Sequence, residues 1–195
     1  DYLARGDASR LLMIGTGALA PHLIEAHAAI RPIREVAIWG RDHAKASALA
    51  SSMARDGLVV RAADDLEAAI RDADIISCAT LSKTPLVHGA WLRPGQHVDL
   101  VGSYAPDMRE ADDDAIARSR VYVDSPAAII ESGDLTQPIA SGVLDKAAIL
   151  GDLTGLANGR ATGRGGPQEI TLFKSAGTAI EDLAAAIMIY ETVRG

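Results

Sequence analysis

The chain alternates short apolar runs with longer stretches that mix apolar and polar residues, and the pattern persists over nearly its whole length. Short apolar runs bounded by turn residues favour buried strands, and the stretches between them have helical composition. The predicted strands are residues 10–14, 35–39, 58–61, 74–79, 97–101, 120–123 and 169–173. The predicted helices are residues 18–30, 42–55, 64–71, 110–118 and 178–193.

Strands that alternate with helices are typical of βαβ units, which form a parallel sheet. We therefore predict an α/β fold of the Rossmann type, a doubly wound and mostly parallel sheet with helices on both faces. One domain is expected over residues 1–195. Within it, residues 1–8 are predicted to be the end of an incoming helix, and residues 168–195 the last strand and a C-terminal helix.

Two late segments are distinctive in their spacing. Residues 178–193 repeat apolar side chains at helical intervals and predict an amphipathic helix, with Ile180, Leu183 and Ile187 on one face. Residues 151–167 are rich in glycines that fit no phosphate-loop spacing, so a mobile surface connection is predicted there.

The turn after the first strand is rich in glycine and small residues. It reads Gly15-Thr-Gly-Ala-Leu-Ala20 and leads directly into the first predicted helix. Small residues there permit a tight turn, close backbone approach to a pyrophosphate and close helix packing, while the helix N-terminus offers free N–H groups. Glycine turns also serve plain packing, but the strand before and helix after favour dinucleotide binding. The predicted cofactor-binding residues here are Gly15, Thr16, Gly17, Ala18 and Leu19.

The second predicted strand ends at Gly40 and Arg41, followed by Asp42. In this fold an acidic residue at that strand end pairs with the ribose of NAD, whereas an arginine accommodates the 2′-phosphate of NADP. Arg41 therefore predicts a preference for NADP(H), with NAD(H) left open because Asp42 lies within reach of a ribose. The alternative is that Arg41 is only a solvated residue at the start of a helix.

Small and hydroxyl-bearing residues follow two further predicted strands. Thr80 and Ser82 come after strand 74–79, and Gly102 and Ser103 after strand 97–101. Ligands in open α/β sheets bind beyond the carboxyl ends of the strands, so these four residues are candidates for ribose and nicotinamide contacts. For the hydroxyls, hydrogen bonding within a local turn is the alternative.

Composition narrows the class of protein further. Of the 195 residues, 48% are hydrophobic and 4% aromatic, which favours a core of small aliphatic side chains. The formal net charge of −7 and the lack of a basic tract argue against a nucleic-acid partner. No apolar run is long enough to span a membrane, so a cytoplasmic location is expected. The single cysteine, Cys78, is predicted to be a buried apolar residue, and the histidine spacing predicts no metal site.

Taken together, the motifs resemble the ornithine cyclodeaminase/μ-crystallin family, and the resemblance extends over essentially the whole chain. The stretches that carry it are Ile14–Ala20, Ile38–Arg41, Ala79–Ser82, Val101–Glu110, Val123–Ser125, Glu131–Asp134, Ile170–Gly177 and Ala179–Ala185. The resemblance implies NAD(P) binding in a Rossmann domain, an amino-acid or cyclic imino-acid substrate, and a homodimer. It also implies an N-terminal domain whose arginine and lysine hold the substrate carboxylate. That domain has no counterpart in this chain, which begins without methionine, so a fragment of a longer protein is expected.

One departure separates branches of the family. Cyclodeaminases carry an aspartate where this chain has Tyr104, and a phenol is a poor general base at neutral pH although it donates hydrogen bonds well. The stretch Pro106–Glu110 instead is similar to the ketimine-reducing branch. The resemblance therefore implies NAD(P)H-dependent reduction of a cyclic imine, with Δ1-pyrroline-2-carboxylate giving L-proline as the expected reaction. The alternatives are an ornithine cyclodeaminase, an alanine dehydrogenase, and a non-catalytic protein that binds NADPH and another small ligand.

On this hypothesis Ser103, Tyr104, Phe173 and Lys174 lie around the nicotinamide, with Tyr104 and Lys174 as the candidate catalytic residues. Each has a simpler interpretation. Phe173 ends an apolar strand and suits the core equally well, Lys174 could be a surface residue, and Tyr104 could pack on the cofactor without donating a proton.

Overall fold

The computed structural model describes residues 1–194, and these contain a seven-stranded sheet. The strands are β1 (Arg10–Ile14), β2 (Glu35–Trp39), β3 (Val59–Ala62), β4 (Ile75–Cys78), β5 (His97–Leu100), β6 (Arg120–Val123) and β7 (Thr171–Lys174). Their order is β3-β2-β1-β4-β5-β7-β6, and every neighbouring pair is parallel. Because the order reverses between β1 and β4, a crevice opens beyond the carboxyl ends of these two strands. The predicted α/β fold is confirmed.

The described part of the chain contains eight helices, of which the first seven lie between strands and the eighth follows β7. They are α1 (Leu19–Ile30), α2 (His43–Met53), α3 (Leu66–Asp72), α4 (Asp113–Ala117), α5 (Ala128–Glu131), α6 (Gly133–Ala140), α7 (Leu153–Ala157) and α8 (Ala179–Arg194). Carboxylates begin several of them. Asp42 accepts hydrogen bonds from the backbone N–H groups of Ala44 and Lys45 at 3.0 and 3.2 Å, and Asp65 accepts one from Ala68 at 3.0 Å. The helices predicted to start at residues 42 and 64 thus begin one and two residues later, each directly after a capping aspartate.

The core has two layers because successive strand residues point to opposite faces of the sheet. In β1, Leu11 and Met13 pack with α1 and α2, whereas Leu12 and Ile14 pack on the other face with residues of α3 and α4. All four side chains are buried. Cys78, at the end of β4, is likewise fully buried, as expected for an apolar residue.

Two predicted segments differ in the structure. Residues 1–8 contain no helical residue; Leu3 is buried, and its carbonyl accepts hydrogen bonds from Arg164 and Thr171. The connection 151–167 is not a plain loop, since it contains α7, and the Tyr122 hydroxyl binds the carbonyls of Thr162 and Gly163. The glycines concealed this helix because sequence patterns treat them as helix breakers.

The predicted C-terminal helix is present as α8, but none of its described residues is buried. Its apolar side chains include the consecutive run Ile187–Tyr190, so apolar surface extends beyond one narrow stripe. Gly195, the last residue of the predicted domain and C-terminal segment, lies outside the described residues. Among residues 1–194, no helix combines the length and apolarity needed to cross a membrane, and no three His, Cys, Asp or Glu side chains are grouped to hold a metal ion.

Candidate functional site

An open cleft of about 310 Å³ lies at the crevice beyond β1 and β4. Three segments form it: the turn between β1 and α1, the end of β2 with the start of α2, and the loop that follows β4. Its lining residues are Gly15, Thr16, Gly17, Trp39, Gly40, Arg41, Asp42, Lys45, Ala79, Thr80, Leu81, Ser82 and Leu86. The structure thus brings together the glycine turn, Arg41, Thr80 and Ser82.

Gly15 closes the turn against the neighbouring strand. Its φ is +120°, its N–H donates to the Trp39 carbonyl at 2.8 Å, and a Cβ there would lie 2.6 Å from the Ala79 carbonyl oxygen. Gly17 has the opposite surroundings, because a Cβ there would meet no atom within 4 Å. Gly15 is therefore required by the fold itself, whereas Gly17 keeps the cleft open.

The N-terminus of α1 faces this cleft without a side-chain cap. Ala18 occupies the N-cap position, no side chain accepts from the first N–H groups, and the first turn holds no acidic residue. Free N–H groups and the positive end of the helix dipole favour an anion. Ala20 is buried, which lets the helix lie close to the sheet. The space at Gly17 and the uncapped helix both fit a pyrophosphate, so the residues present suit a dinucleotide.

Basic side chains lie at the other end of the cleft, beside β2. Arg41 is exposed and, within residues 1–194, forms no ion pair or hydrogen bond through its side chain. Asp42 has one carboxylate oxygen committed to capping α2. Lys45, in the first turn of α2, also lines the cleft. Arg41 and Lys45 are two cations beside one carboxylate that already caps α2, and this balance favours an anionic group at this end.

The hydroxyl-bearing candidates are held by internal hydrogen bonds. Thr80 donates its hydroxyl to Glu110 at 2.8 Å, and Ser82 donates to the Thr84 carbonyl at 2.6 Å. Ser103 is fully buried and donates to the Met108 carbonyl at 2.8 Å. Gly102 is also buried, and it packs on Thr80 below the cleft. The local-turn interpretation therefore fits Ser82 and Ser103, whereas Thr80 bonds to a residue thirty positions away. Thr80 and Ser82 still line the cleft.

Besides Ser103, three residues are expected near a nicotinamide, and they occupy different surroundings. Tyr104 is exposed at the rim of the loop after β5, with 55% of its surface accessible. Phe173 lines a second cavity, of about 170 Å³, on the α1 face of the sheet with His27, His97 and Asp99. Lys174 is fully buried; its Nζ donates to the Leu100 carbonyl at 3.2 Å and lies 3.6 Å from Asp134. Tyr104 and Phe173 therefore border open space, whereas Lys174 has no surface that a ligand could reach.

Two ionisable side chains of the second cavity have pKa values shifted from their ordinary values. Asp99 accepts hydrogen bonds from the Ser77 hydroxyl at 3.0 Å and contacts His27 Nε2 at 3.1 Å. Although burial opposes ionisation, these partners and His97 hold the Asp99 pKa below its ordinary value. Burial lowers the pKa of His97 to about 3, so this imidazole is neutral at physiological pH.

Four residues at or near the cleft were not predicted from the sequence. Trp39 and Lys45 line the cleft. Trp39 lies in the stretch Ile38–Arg41 that carries the family resemblance, whereas Lys45 lies in no such stretch. Glu110 and Asp134 are fully buried beside the loops after β4 and β5. Both lie in stretches that carry the family resemblance, which was the one signal that could have drawn attention to them.

Comparison with known proteins gives consistent results. The sequence model of the ornithine cyclodeaminase/mu-crystallin family matches residues 1–195. Protein SAR DEFICIENT 4 of Arabidopsis thaliana is 44% identical over 97% of this chain and 60% of its own length. The Delta(1)-pyrroline-2-carboxylate reductase of Paracoccus denitrificans is 41% identical over 100% of this chain and 62% of its own.

Solved structures agree with the sequence comparisons. The Thermococcus litoralis Delta(1)-pyrroline-2-carboxylate reductase, in complex with NADH and L-proline, superposes with a TM-score of 0.94 at 34% identity. The match covers 97% of this chain and 59% of that protein. The chain thus spans about three fifths of the length of the relatives that it matches.

Proposed function

The chain belongs to the ornithine cyclodeaminase/mu-crystallin family, and on this basis we propose that it acts in the NAD(P)H-dependent reduction of a cyclic imino acid. The proposed substrate is Δ1-pyrroline-2-carboxylate and the product L-proline. Such an enzyme is an oxidoreductase acting on a carbon–nitrogen bond. The two named reductases among its relatives support this choice of substrate.

The cleft beside the glycine turn is the observation that carries the proposal. At one end of this open groove lie the space at Gly17 and the uncapped N-terminus of α1, and at the other end lies the free side chain of Arg41. A dinucleotide needs this sequence of features, since its pyrophosphate and its adenosine ribose bind at separate points.

The reductase branch is favoured over cyclodeamination by the loop after β5. Tyr104 stands where a cyclodeaminase would need a carboxylate base, and its side chain is exposed at the rim. Asp107, three residues further on, pairs with Lys83 at 2.7 Å, so it does not replace that base. A phenol can donate a hydrogen bond to a bound imino acid but accepts a proton poorly at neutral pH.

The nicotinamide supplies the hydride when it is bound. The residues of this chain bind the cofactor and orient it. N–H groups of the α1 N-terminus hold the pyrophosphate, the Thr80 and Ser82 loop borders the ribose, and Tyr104 donates a hydrogen bond from the rim. The apolar side chains of Leu81 and Leu86 line the cleft and limit the entry of water.

For the cofactor we propose a preference for NADP(H), with Arg41 pairing with the 2′-phosphate. Arg41→Ala then removes a charge-assisted hydrogen bond at an exposed site, which we expect to weaken NADPH binding roughly 10-fold and NADH binding less than about twofold. Fluorescence titration of each cofactor measures both constants. Arg34→Ala is the matched control, because Arg34 is an exposed arginine at the opposite end of β2. Equal loss of both cofactors would remove Arg41 from this role.

The reaction is tested by following the absorbance of NADPH with Δ1-pyrroline-2-carboxylate and identifying L-proline among the products. Consumption of NADPH with proline formation supports the proposal. Ammonia release from ornithine with no net use of cofactor would replace it with cyclodeamination, and turnover of alanine would replace it with a dehydrogenase. Tight NADPH binding with no turnover of any of these substrates would indicate a binding protein instead.

The remaining proposals concern the surroundings of the chain. We propose a small imino- or amino-acid ligand, a homodimer and a cytoplasmic location. We also propose that segment 168–195 packs toward a substrate-binding and dimer-forming domain, since Ile180, Leu183 and Ile187 of α8 are exposed. Sedimentation of the protein with and without cofactor measures its assembly state.

A further inference from the structure

A carboxylate with no exposed surface lies between the loops that follow β4 and β5. Glu110 Oε1 accepts hydrogen bonds from the Thr80 N–H at 2.6 Å and the Thr80 hydroxyl at 2.8 Å. Its Oε2 accepts one from the Gly102 N–H at 2.8 Å. One side chain therefore joins two strand ends, and Thr80 is itself part of the cofactor cleft.

The two loops touch closely at this point. A Cβ on Gly102 would collide with the Thr80 backbone and lie 2.6 Å from Glu110 Oε1. Such close approach leaves no room for a bridging water. The position of the Thr80 backbone is therefore set by the Glu110 carboxylate and the bare Gly102 backbone together.

A second buried carboxylate holds the first. Asp134, in α6, accepts from the Glu110 N–H at 2.7 Å and the Ala111 N–H at 3.0 Å through Oδ1. Its Oδ2 has no hydrogen-bond partner and lies 3.6 Å from Lys174 Nζ. Asp134 and Lys174 both have no exposed surface. The ammonium group is thus the countercharge in an assembly of two carboxylates and one cation.

The charge balance of this assembly is delicate. Burial raises the pKa of Glu110, the neighbouring Asp134 raises it further, and Lys174 acts in the opposite direction. The Cys78 thiol of β4 also contacts Glu110, and burial beside these carboxylates raises the thiol pKa well above its usual range. A buried carboxylate without a countercharge would take up a proton and lose an acceptor.

We propose that Glu110 is a positioning residue for the cofactor cleft: it fixes the Thr80 loop against Gly102, and Lys174, acting across Asp134, supplies its countercharge. Lys174 in this arrangement acts through other residues and touches no substrate, which replaces the catalytic role expected from the sequence. The effect on cofactor binding rests on the proposed function, whereas the positioning of the two loops does not.

The positioning is measured without cofactor, by following the backbone amide resonances of Thr80 and Gly102 by NMR as the pH falls. Both amides donate to the same carboxylate, so they should titrate with one midpoint, above the ordinary glutamate value of about 4.3. Lys174→Met should raise that midpoint by about one pH unit, because an opposite charge is removed. Glu110→Gln should abolish the titration at both amides. It should also raise the NADH dissociation constant about tenfold, because one amide oxygen cannot serve both loops.

Two exposed residues provide matched controls. Glu25→Gln and Lys146→Met make the same chemical changes on α1 and on the short turn 146–148, away from this assembly, and should leave both amide titrations unchanged. Thermal unfolding verifies that each variant folds. If Glu110→Gln does not fold, the wild-type titration and Lys174→Met still decide the matter.

The outcomes separate the two proposals. Separate midpoints for Thr80 and Gly102, no titration of either amide, or an unchanged midpoint in folded Lys174→Met would overturn the positioning role. If both amides titrate together and Lys174→Met shifts them, the role is supported. Wild-type protein that behaves in this way but binds neither NADH nor NADPH refutes the proposed function alone.

Discussion

Gly15 and Gly17, two residues apart in one turn, should respond in opposite ways to the same substitution. Gly15→Ala places a Cβ 2.6 Å from the Ala79 carbonyl oxygen at a φ of +120°. Gly17→Ala places it in open space, at a φ outside the positive region. The first change should therefore damage the fold, and the second should damage ligand binding while leaving the fold intact.

The magnitudes follow from these surroundings. For Gly15→Ala, positive φ costs about 1–3 kcal/mol and the overlap with a backbone carbonyl about 1–3 kcal/mol more. A loss of roughly 2–6 kcal/mol lowers the melting temperature by roughly 5–20 °C in a chain of this size. For Gly17→Ala, the free energy of unfolding should change by less than about 1 kcal/mol, with a slight gain from reduced freedom of the unfolded chain.

Cofactor binding should be weakened in Gly17→Ala, the variant that stays folded. A methyl group at Gly17 stands between the backbone N–H groups and a pyrophosphate, and losing one charge-assisted hydrogen bond costs about 1.5–3 kcal/mol. We expect NADPH and NADH to bind roughly 10- to 150-fold more weakly to Gly17→Ala. Differential scanning calorimetry gives the stability of each variant, and titration calorimetry gives both cofactor affinities.

The reasoning fails if Gly15→Ala melts within about 2 °C of the wild type, since the carbonyl contact would then be unimportant. It fails equally if Gly17→Ala binds both cofactors normally, because the open space beside Gly17 would then not be the pyrophosphate site. Gly57→Ala is a useful control, since Gly57 has positive φ but no atom within 4 Å of its Cβ position. Gly57→Ala should be destabilised only by the cost of its backbone conformation.

Two further predictions use the remaining polar groups. The pKa of His97 is about 3 in the folded chain and about 6.5 when unfolded, so its contribution to stability is complete above pH 6.5 and is lost as pH falls toward 3. Between about pH 6 and 4, His97→Gln should reduce the slope of the unfolding free energy against pH by up to about 1.4 kcal/mol per pH unit. Urea denaturation at several pH values measures this slope, and an unchanged slope would contradict the burial argument. Asp42→Ala should cost about 1 kcal/mol through the lost cap of α2 and raise the ratio of NADPH to NADH affinity, measured by melting and titration. A fall in that ratio would contradict the placement of the 2′-phosphate.

Much of the fold was predictable because burial and local turns dominate it. The strands at 10–14, 35–39 and 120–123 have the predicted bounds, since each is an apolar run between turn residues. The order of the strands follows less directly, because β7 lies between β5 and β6 and no local pattern specifies that insertion.

The short helices were beyond the reach of periodicity. α6 contains Pro138 and begins at Gly133, two residues that usually argue against a helix. The helix forms because Ser132 caps it and because Asp134 binds the backbone of Glu110 and Ala111 in a distant segment. Such stabilisation comes from tertiary contacts that no window of sequence contains.

The glycine turn and Arg41 were found because their chemistry depends on spacing along the chain. Lys174 was harder to interpret, because a lysine at a strand end can face either a ligand or the interior. In β7 the side chains of Leu172 and Lys174 point to the same buried face, and the countercharge on Asp134 is forty residues away. Only the arrangement in space distinguishes these two roles.

The single thiol of the chain, on Cys78, lies in the central strand pairing of β4 with no accessible surface. An alkylating reagent can reach it only when that part of the sheet opens. Its rate of modification in native buffer therefore reports the free energy of that opening, provided that reclosing is faster than the chemistry. The molecule thus carries its own probe of partial unfolding, at the strand that borders the cleft, with no engineered label.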